Sequence, residues 1–234
     1  MSNIKVSTFT FFIIQKFTKF KTNKFVYEEV KNMRMRLYFT LENKKIPIDY
    51  RRSIISFIKL SLSEYSEDEL KKYYNQKDNI IKPYAFSIFF KYPQINAEEI
   101  IVEDKKFEMN MTTENYETTI TLYNAFNAQK HKKFSINKNS WILQKIVLIP
   151  EKEITENKIV VKFQAPICVR KRENNKDYYY SYERKEFVET VKLNIQEQLK
   201  ITDLSPEIVE TFNIIPVVAK KVIVKFYEKQ IECS

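Results

Sequence analysis

The chain has 234 residues, of which 44% are hydrophobic and 15% aromatic, so it can bury a core and does not have the composition of a disordered protein. Its 40 Lys and Arg residues against 30 Asp and Glu give a net charge of +10, which favours a polyanionic partner such as nucleic acid or an anionic membrane surface. It contains no glycine, which excludes P-loop and dinucleotide-binding enzymes, because both motifs need glycine where the backbone approaches a phosphate.

Residues 1–32 differ in pattern from the rest of the chain. An apolar run at residues 9–14 precedes several lysines, but it is too short to span a bilayer and lacks the small-residue cleavage site of a signal peptide. We therefore expect no membrane partner, with a surface amphipathic anchor as the second interpretation. Met33 or Met35 would be the working start, and residues 1–32 would be an extension that is not part of the fold.

Residues 33–150 have the pattern of a first ferredoxin-like domain. Hydrophobic residues alternate along four segments, which predicts strands at residues 35–41, 84–90, 107–111 and 141–149. After the first strand, Asp49 is a suitable N-cap for a helix. Its apolar residues recur at every fourth position, at Tyr50, Ile54, Ile58 and Leu62. Ser66 and Glu69 then form a capping box for a short second helix that runs through Tyr74.

A further helix is predicted at residues 116–126, although its threonines weaken the helical pattern. The order of elements is therefore β-α-β-β-α-β with a helical insertion after the first helix. This order is the ferredoxin-like unit, which RNA-binding RRM proteins also use. Residues 151–156 form a polar linker to a second domain at residues 157–234.

The second domain is expected to be a partial ferredoxin-like unit. A strand at residues 158–169 leads to a basic, tyrosine-rich loop at residues 170–182. A helix follows, with one apolar face made of Phe187, Val191, Ile195 and Leu199. One long strand or a strand pair is predicted at residues 212–231. The fold class is therefore α+β, with tandem ferredoxin-like (RRM-like) units of which the second is incomplete.

Cysteine and histidine usage limits the chemistry of the chain. Cys168 and Cys233 are far apart and lack the spacing of a zinc site, so we expect reduced thiols in a cytosol. His131 is the only histidine, which excludes a histidine cluster for a metal ion. We therefore expect no metal and no cofactor. Because glycine is absent, turns must use asparagine, aspartate or lysine for left-handed backbone conformations.

Three segments carry more specific information because they occur in a fixed order. Residues 46–52 read IPIDYRR at the head of the first helix, residues 82–87 read KPYAFS at the start of a strand, and residues 164–170 read QAPICVR at the start of the second unit. This ordered set resembles the CRISPR-associated repeat-processing endoribonucleases, the Cas six family. The resemblance extends from about Met33 to the end of the chain.

The resemblance implies that the partner is CRISPR repeat RNA. The family binds the repeat of a precursor CRISPR RNA and cuts it without metal, because the ribose 2′-hydroxyl attacks the adjacent phosphate. The products carry a 2′,3′-cyclic phosphate and a 5′-hydroxyl. This reaction needs a group that helps to remove the 2′ proton, a proton donor for the 5′ oxygen and a cation for the phosphorane.

Four residues match the catalytic positions of the family or stand in their place. Lys82 precedes the aromatic strand where the family has its catalytic lysine, and Lys59 lies where some members have a tyrosine on the first helix. Asn75 replaces the histidine of the family and cannot transfer protons, which leaves Tyr74 or Tyr73 as the proton donor. The alternative roles are an exposed lysine at the start of a strand and tyrosines that pack in the core.

The family also has a further strand, a helix and a glycine-rich loop towards its C-terminus, and none has a counterpart here. The resemblance therefore implies a truncated second unit and leaves two alternatives to an endoribonuclease. The first is a non-cleaving RNA-binding protein, a degenerate member of the family. The second is a structural subunit whose unpaired sheet edge binds other CRISPR effector subunits or a second copy of the chain in a homodimer.

Basic residues at three places are candidates for RNA binding, since cations neutralise phosphates and nearby aromatic rings stack on bases. They are Arg51 and Arg52 on the first helix, Lys130, His131, Lys132 and Lys133 after residues 116–126, and Arg170, Lys171 and Arg172 near three consecutive tyrosines. The alternative for each group is a solvated surface turn or loop.

Overall fold

A computed structural model of the protein describes residues 10–15, 33–74, 82–113, 115–136, 139–150, 155–200, 205–226 and 229–234. The strands are β1 Thr10–Gln15, β2 Met33–Leu41, β3 Lys45–Pro47, β4 Tyr84–Phe90, β5 Gln94–Ile95, β6 Glu99–Ile101, β7 Lys106–Thr113, β8 Lys133–Ile136, β9 Asn139–Pro150, β10 Lys158–Phe163, β11 Val169–Glu173, β12 Lys176–Tyr180, β13 Asn213–Val218, β14 Val222–Phe226 and β15 Lys229–Cys233. The α-helices are α1 Tyr50–Tyr65, α2 Glu67–Tyr73, α3 Tyr116–Asn127 and α4 Glu186–Leu199, and a 3-10 helix spans Pro206–Thr211.

The chain divides into two compact units. Of the described residues, 33–150 form the first unit, and β1 together with residues 155–234 forms the second. Among the helices in this part of the chain, none combines the length and the apolar composition that a bilayer crossing requires.

The sheet of the first unit has the strand order β4-β7-β2-β9-β8, and all its pairs are antiparallel. If β2, β4, β7 and β9 are numbered one to four, their order is 2-3-1-4, which is the ferredoxin-like arrangement. The predicted ferredoxin-like fold is therefore confirmed, with β8 added at one edge. A smaller sheet, β3-β6-β5, accompanies it.

The core of the first unit lies between this sheet and the helices α1 and α3. Alternation along β2 buries Met35, Leu37 and Phe39, each with 1% exposure or less, because successive side chains of a strand point to opposite faces. The ring of Phe39 stacks on Phe107 of β7, with 4.6 Å between the ring centroids. Phe57 of α1 packs edge to face on Phe39, and Trp141 of β9 packs edge to face on Phe107.

The predicted helix starts agree with the structure, but their caps differ in chemistry. Asp49 precedes α1, although its side chain makes no capping hydrogen bond. At α2 the backbone N–H of Glu69 donates to Ser66 Oγ at 3.3 Å, which is the hydrogen bond that the serine side chain accepts in the predicted capping box. Asn115 caps α3, since its Oδ1 accepts from the backbone N–H of Thr118 at 2.8 Å. This cap and the burial of the threonines in α3 explain why the helix forms despite its β-branched residues.

The second unit contains a three-stranded antiparallel sheet with the order β10-β1-β13 and two hairpins, β11-β12 and β14-β15. The prediction that residues 1–32 are not part of the fold is therefore wrong for β1, which is the central strand of this sheet. An apolar run needs strand partners, and these partners lie at residues 158–163 and 213–218, too far along the chain for the local pattern to reveal them. In the described part, α4 is the one α-helix of this unit, whereas a complete ferredoxin-like unit has two.

Two further predictions in the second unit need correction. The strand predicted at residues 158–169 breaks after Phe163, in a segment that contains Pro166, and proline cannot donate a ladder hydrogen bond. The basic loop is a hairpin, β11-β12, because Asn174 and Asn175 take φ values of 49° and 59°. Positive φ at both central residues is the type I′ geometry of a two-residue hairpin. The predicted final strand or strand pair is instead divided among β13, β14 and β15.

The prediction of reduced thiols is also corrected, because Cys168 and Cys233 form a disulfide with 4.6 Å between their Cα atoms. Backbone hydrogen bonds hold the two ends together beside it: the N–H of Ile167 donates to the Ser234 carbonyl at 2.7 Å, and the N–H of Ser234 donates to the Ile167 carbonyl at 3.0 Å. The two cysteines are 65 residues apart in sequence, so it is the fold that brings them together.

Candidate active site and nucleic-acid interface

Three of the four residues predicted to be catalytic lie together in the first unit. Lys59 Nζ is 4.8 Å from the centroid of the Tyr74 ring, and Lys82 Nζ is 5.0 Å from it. Both distances are within the range of a cation–π interaction. Asn75, the fourth residue, lies outside the described residues. Two ammonium groups, from lysines that are 23 residues apart in sequence, therefore lie close to the Tyr74 ring.

Local structure explains how these side chains converge. Tyr74 directly follows α2, and its backbone N–H donates to the Leu70 carbonyl at 2.8 Å, which closes the last turn of that helix. Lys59 lies on the exposed side of α1, and Lys82 lies two residues before β4. The helical insertion α2 thus presents the tyrosine to both lysines.

The tyrosines beside this group form a hydrogen-bonded set. The hydroxyl groups of Tyr74 and Tyr84 share a hydrogen bond, whereas the hydroxyl of the buried Tyr73 donates to Thr118 Oγ1 at 3.5 Å. The interpretation of Tyr73 as a core residue therefore fits its environment, and Tyr74 is the tyrosine that faces the cations. Sequence reasoning missed Tyr84 as a neighbour of this group because it belongs to the alternating apolar stripe of β4.

Burial and like charges change the proton affinities in the group. Burial raises the pKa of the Tyr74 phenol, while its hydrogen bond with Tyr84 acts in the opposite direction. The pKa of Tyr84 is raised further, mainly by burial and then by the neighbouring Tyr74. The pKa of Lys82 is lowered, first by burial and second by the positive charge of Lys59. The group carries two positive side chains, and a bound phosphate would favour the charged form of Lys82.

The basic hairpin β11-β12 separates its predicted RNA-binding residues onto two faces. Val169 is buried, so Lys171 shares its inward face, while Arg170 and Arg172 lie on the opposite face. On that outer face Arg170 stands across from Tyr179. Arg170 has a carboxylate of Asp177 at 3.8 Å, and Lys171 has one of Glu173 at 3.5 Å.

Arg172 is exposed, and in the part of the chain that the structure describes it has no ion pair within 4.0 Å. Cations with aromatic rings on the same face suit contacts to phosphates and stacking on bases. The outer face of the hairpin, made of Arg170, Arg172 and Tyr179, is therefore the stronger candidate for RNA contact, and Lys171 the weaker one.

The basic turn after α3 is largely occupied with contacts inside the protein. Lys132 Nζ lies 3.2 Å from Glu64, and Lys133 Nζ lies 2.8 Å from Glu42. The pKa of Glu64 is lowered first by a hydrogen bond from Gln129 and then by Lys132, and the pKa of Glu42 is lowered first by Lys133 and then by a hydrogen bond from Ser140. Much of the positive charge of the turn is thus compensated.

His131 and Lys130 complete this turn. His131 has a φ of 63°, and its backbone N–H donates to the Leu143 carbonyl at 2.9 Å. Lys130 forms an isolated bridge to Leu143. The histidine is exposed and stands at a left-handed position, which fits its interpretation as a surface turn.

The two arginines predicted on the first helix are exposed at its first turn. Arg51 lies over the Tyr50 ring with 5.5 Å between the guanidinium carbon and the ring centroid. Arg52 is 4.0 Å from the carboxylate of Asp49. Weak exposed contacts of this kind cost little to exchange for a phosphate contact.

Comparison with known proteins gives this arrangement a family context. Residues 149–234 match the family model described as "CRISPR associated protein Cas6, C-terminal". These residues are similar to the C-terminal part of Cas6 proteins. This is the family that the ordered motifs resemble, so the predicted Cas6 resemblance is confirmed. The comparison with curated protein sequences gave no match.

Solved structures support the Cas6 fold over both units. A Cas6-related protein from Pyrococcus furiosus superposes with a TM-score of 0.68 at 15% identity, over 86% of this chain and 84% of that chain. A protein described as a RAMP protein binding different RNA substrates gives 0.65 at 17% identity, with coverage of 86% and 84%. A further Cas6 protein gives 0.62 at 15% identity, with coverage of 87% and 84%. At these identities the likeness shows the fold, which is the α+β, ferredoxin-like fold predicted for the chain.

Proposed function

We propose that this Cas6-type protein binds CRISPR repeat RNA and cuts it by attack of a ribose 2′-hydroxyl on the adjacent phosphate. The observation that supports cleavage is the position of Lys59 and Lys82, each within 5.0 Å of the Tyr74 ring centroid. Two cations beside a phenol are suited to hold a phosphate whose negative charge increases in the transition state. On this proposal the protein works in the cytoplasm and needs no metal ion.

The roles of the three side chains follow from their charge and burial. Lys82 contacts the scissile phosphate and stabilises the phosphorane, and Lys59 adds positive charge from the exposed side. Tyr74 is the candidate proton donor for the 5′ leaving oxygen. Since burial raises the pKa of its phenol, Tyr74 keeps its proton at neutral pH and is a slow donor.

A non-cleaving RNA-binding protein is the second candidate, and a specific contact favours it. The Tyr74 hydroxyl is hydrogen-bonded to Tyr84, and Asn75 stands in the position of the family histidine. General acid–base help is typically worth about a hundred- to ten-thousand-fold in rate. On this second candidate, cleavage is slow or absent while RNA binding, led by the outer face of the basic hairpin, remains.

End-labelled repeat RNA tests cleavage. The product should carry a 2′,3′-cyclic phosphate and form equally in EDTA, and Lys82→Ala should slow its formation. Lys71→Ala is the matched control, because Lys71 is an exposed lysine of α2 whose contact is an ion pair with Asp68. Equal rates for Lys82→Ala and the parent would remove the catalytic assignment, and loss of cleavage in EDTA would overturn the mechanism.

The histidine position gives a gain-of-function test. Asn75→His should raise the cleavage rate without a comparable change in affinity, because an imidazole can transfer protons near neutral pH. An unchanged rate in this variant, with RNA still bound, would favour the non-cleaving protein. A structural subunit that binds other CRISPR effector subunits or a second copy would instead show no RNA affinity at low salt.

A further inference from the structure

The first unit has a cavity of about 530 Å³ on the face of its sheet opposite the helices. Side chains from β2, β4, β7 and β9 line it. They include Tyr38, Thr40, Phe89, Lys106, Glu108 and Gln144. None of these residues belongs to the Lys59–Tyr74–Lys82 group, so the cavity is a separate place on the same unit.

Two aromatic rings border the cavity and face away from the core. Leu37 and Phe39 are buried on the helical side, so Tyr38 between them lies on the open side of the sheet. Phe89 of β4 is 50% exposed, which is unusual for so large an apolar side chain. Strand register places Tyr38 and Phe89 on either side of the same residue, Glu108. The rings therefore stand two strands apart, about 10 Å between their Cα atoms.

The charged groups of the cavity are two lysines, Lys91 and Lys106, and two carboxylates, Glu108 and Asp104, and the Asp104 carboxylate accepts a hydrogen bond from the backbone N–H of Lys106 at 3.2 Å. Lys91 and Lys106 supply positive charge, and among the described residues neither has a carboxylate within 4.0 Å. Glu108 supplies hydrogen-bond acceptors and is held by Arg36, with 3.6 Å between Nε and Oε2. The cavity thus combines exposed rings, available ammonium groups and an oriented acceptor.

We infer that this cavity binds one unpaired nucleotide of single-stranded RNA, and this inference rests on the proposed RNA-binding function. The base stacks on Phe89, a base N–H donates to Glu108, and the phosphate lies near Lys106. RRM proteins, which share the ferredoxin-like architecture, read unpaired bases by stacking them on aromatic side chains of the open sheet. A base-paired nucleotide cannot enter the cavity, because its ring faces are covered by its neighbours in the helix.

The test compares single-stranded and duplex RNA on the full chain. A fluorescein-labelled eight-nucleotide RNA of mixed sequence is titrated with the parent, Phe89→Ala and Tyr116→Ala, and fluorescence anisotropy is read. Tyr116 is the matched control, since it is 44% exposed at the start of α3. Removal of a stacked ring typically costs about fivefold to a hundredfold in affinity. We expect a loss of about fivefold or more for Phe89→Ala and none for Tyr116→Ala.

The outcomes separate this inference from the proposed function. If Phe89→Ala and Tyr116→Ala bind the octanucleotide equally, or if Phe89→Ala weakens binding to a duplex of the same sequence by the same factor, the cavity does not bind an unpaired base. The proposed function would stand in both cases if Arg172→Glu still lost affinity for the repeat RNA. If the parent binds neither the octanucleotide nor the repeat RNA at low salt, both this inference and the proposed function are overturned.

Discussion

Removal of the Cys168–Cys233 disulfide should destabilise the second unit and leave the first unit unchanged. The bond closes a loop of 65 residues that lies within the second unit. In the chain-entropy description, the loss of a cross-link of this span costs about 4 kcal/mol at 25 °C. Many domains have total stabilities of only about 5–15 kcal/mol, so a change of this size would be a large part of the stability of the second unit.

Hydrogen exchange measures this change in each unit separately. The parent with and without dithiothreitol and the double variant Cys168→Ser/Cys233→Ser would be compared by mass spectrometry of peptides from α4 and from α1. We expect the slowest amides of α4 to lose up to about 4 kcal/mol of protection. The amides of α1 should keep theirs, because the disulfide does not constrain the first unit.

The reduced parent is a necessary control, since Cys233 is fully buried and serine adds a polar group at that position. A loss seen in the double variant but not in the reduced parent would reflect the buried hydroxyl and not the cross-link. Unchanged protection of α4 after reduction, or an equal loss of protection in α1 and α4, would refute this prediction.

Three further outcomes are expected. Lys59→Gln removes a positive charge beside Lys82, so the pKa of Lys82 should rise and the alkaline loss of cleavage or RNA affinity should move to higher pH. Lys71→Gln is the control, and a pH profile of Lys59→Gln equal to that of the parent would contradict the like-charge effect. Arg172→Glu should lower the affinity for repeat RNA and its salt dependence more than Lys171→Glu, by about 0.7 per lost phosphate contact in the slope of log K against log salt; equal effects would contradict the assignment of faces. Deletion of residues 1–32 removes β1 and should lower the thermal midpoint of the second unit. The fluorescence of Trp141, the only tryptophan, should show that the first unit is unchanged. A midpoint of the second unit equal to that of the parent would contradict the central position of β1.

Local sequence patterns were sufficient for most of the first unit. The alternation in β2 and the i+4 stripe in α1 each describe a face that must be buried, and burial is the main stabilising term, so pattern and structure agree. The Ser66 capping box is a similar case, because the donor and the acceptor are three residues apart. The order of these elements also predicted the ferredoxin-like sheet, since β-α-β-β-α-β connections leave few ways to arrange four strands.

Tertiary structure decided the features that depend on residues distant in sequence. The pattern of residues 9–14 could not show that β1 pairs with β10 and β13, and the spacing of two cysteines could not show that Ser234 and Ile167 lie side by side. The charge run at residues 130–133 looked available for RNA, yet two of its lysines are paired with carboxylates from other elements.

The candidate active site shows both contributions. Family resemblance selected Lys59, Tyr74 and Lys82 one at a time, from motifs in separate segments. Their common position depends on α2 ending beside α1 and β4, and the hydrogen bond between Tyr74 and Tyr84 depends on the same packing. Sequence therefore determined which residue types are present, whereas the fold determined the distances and the burial that shift the pKa values of Tyr74 and Lys82, because both depend on neighbours that the chain brings together only when it folds.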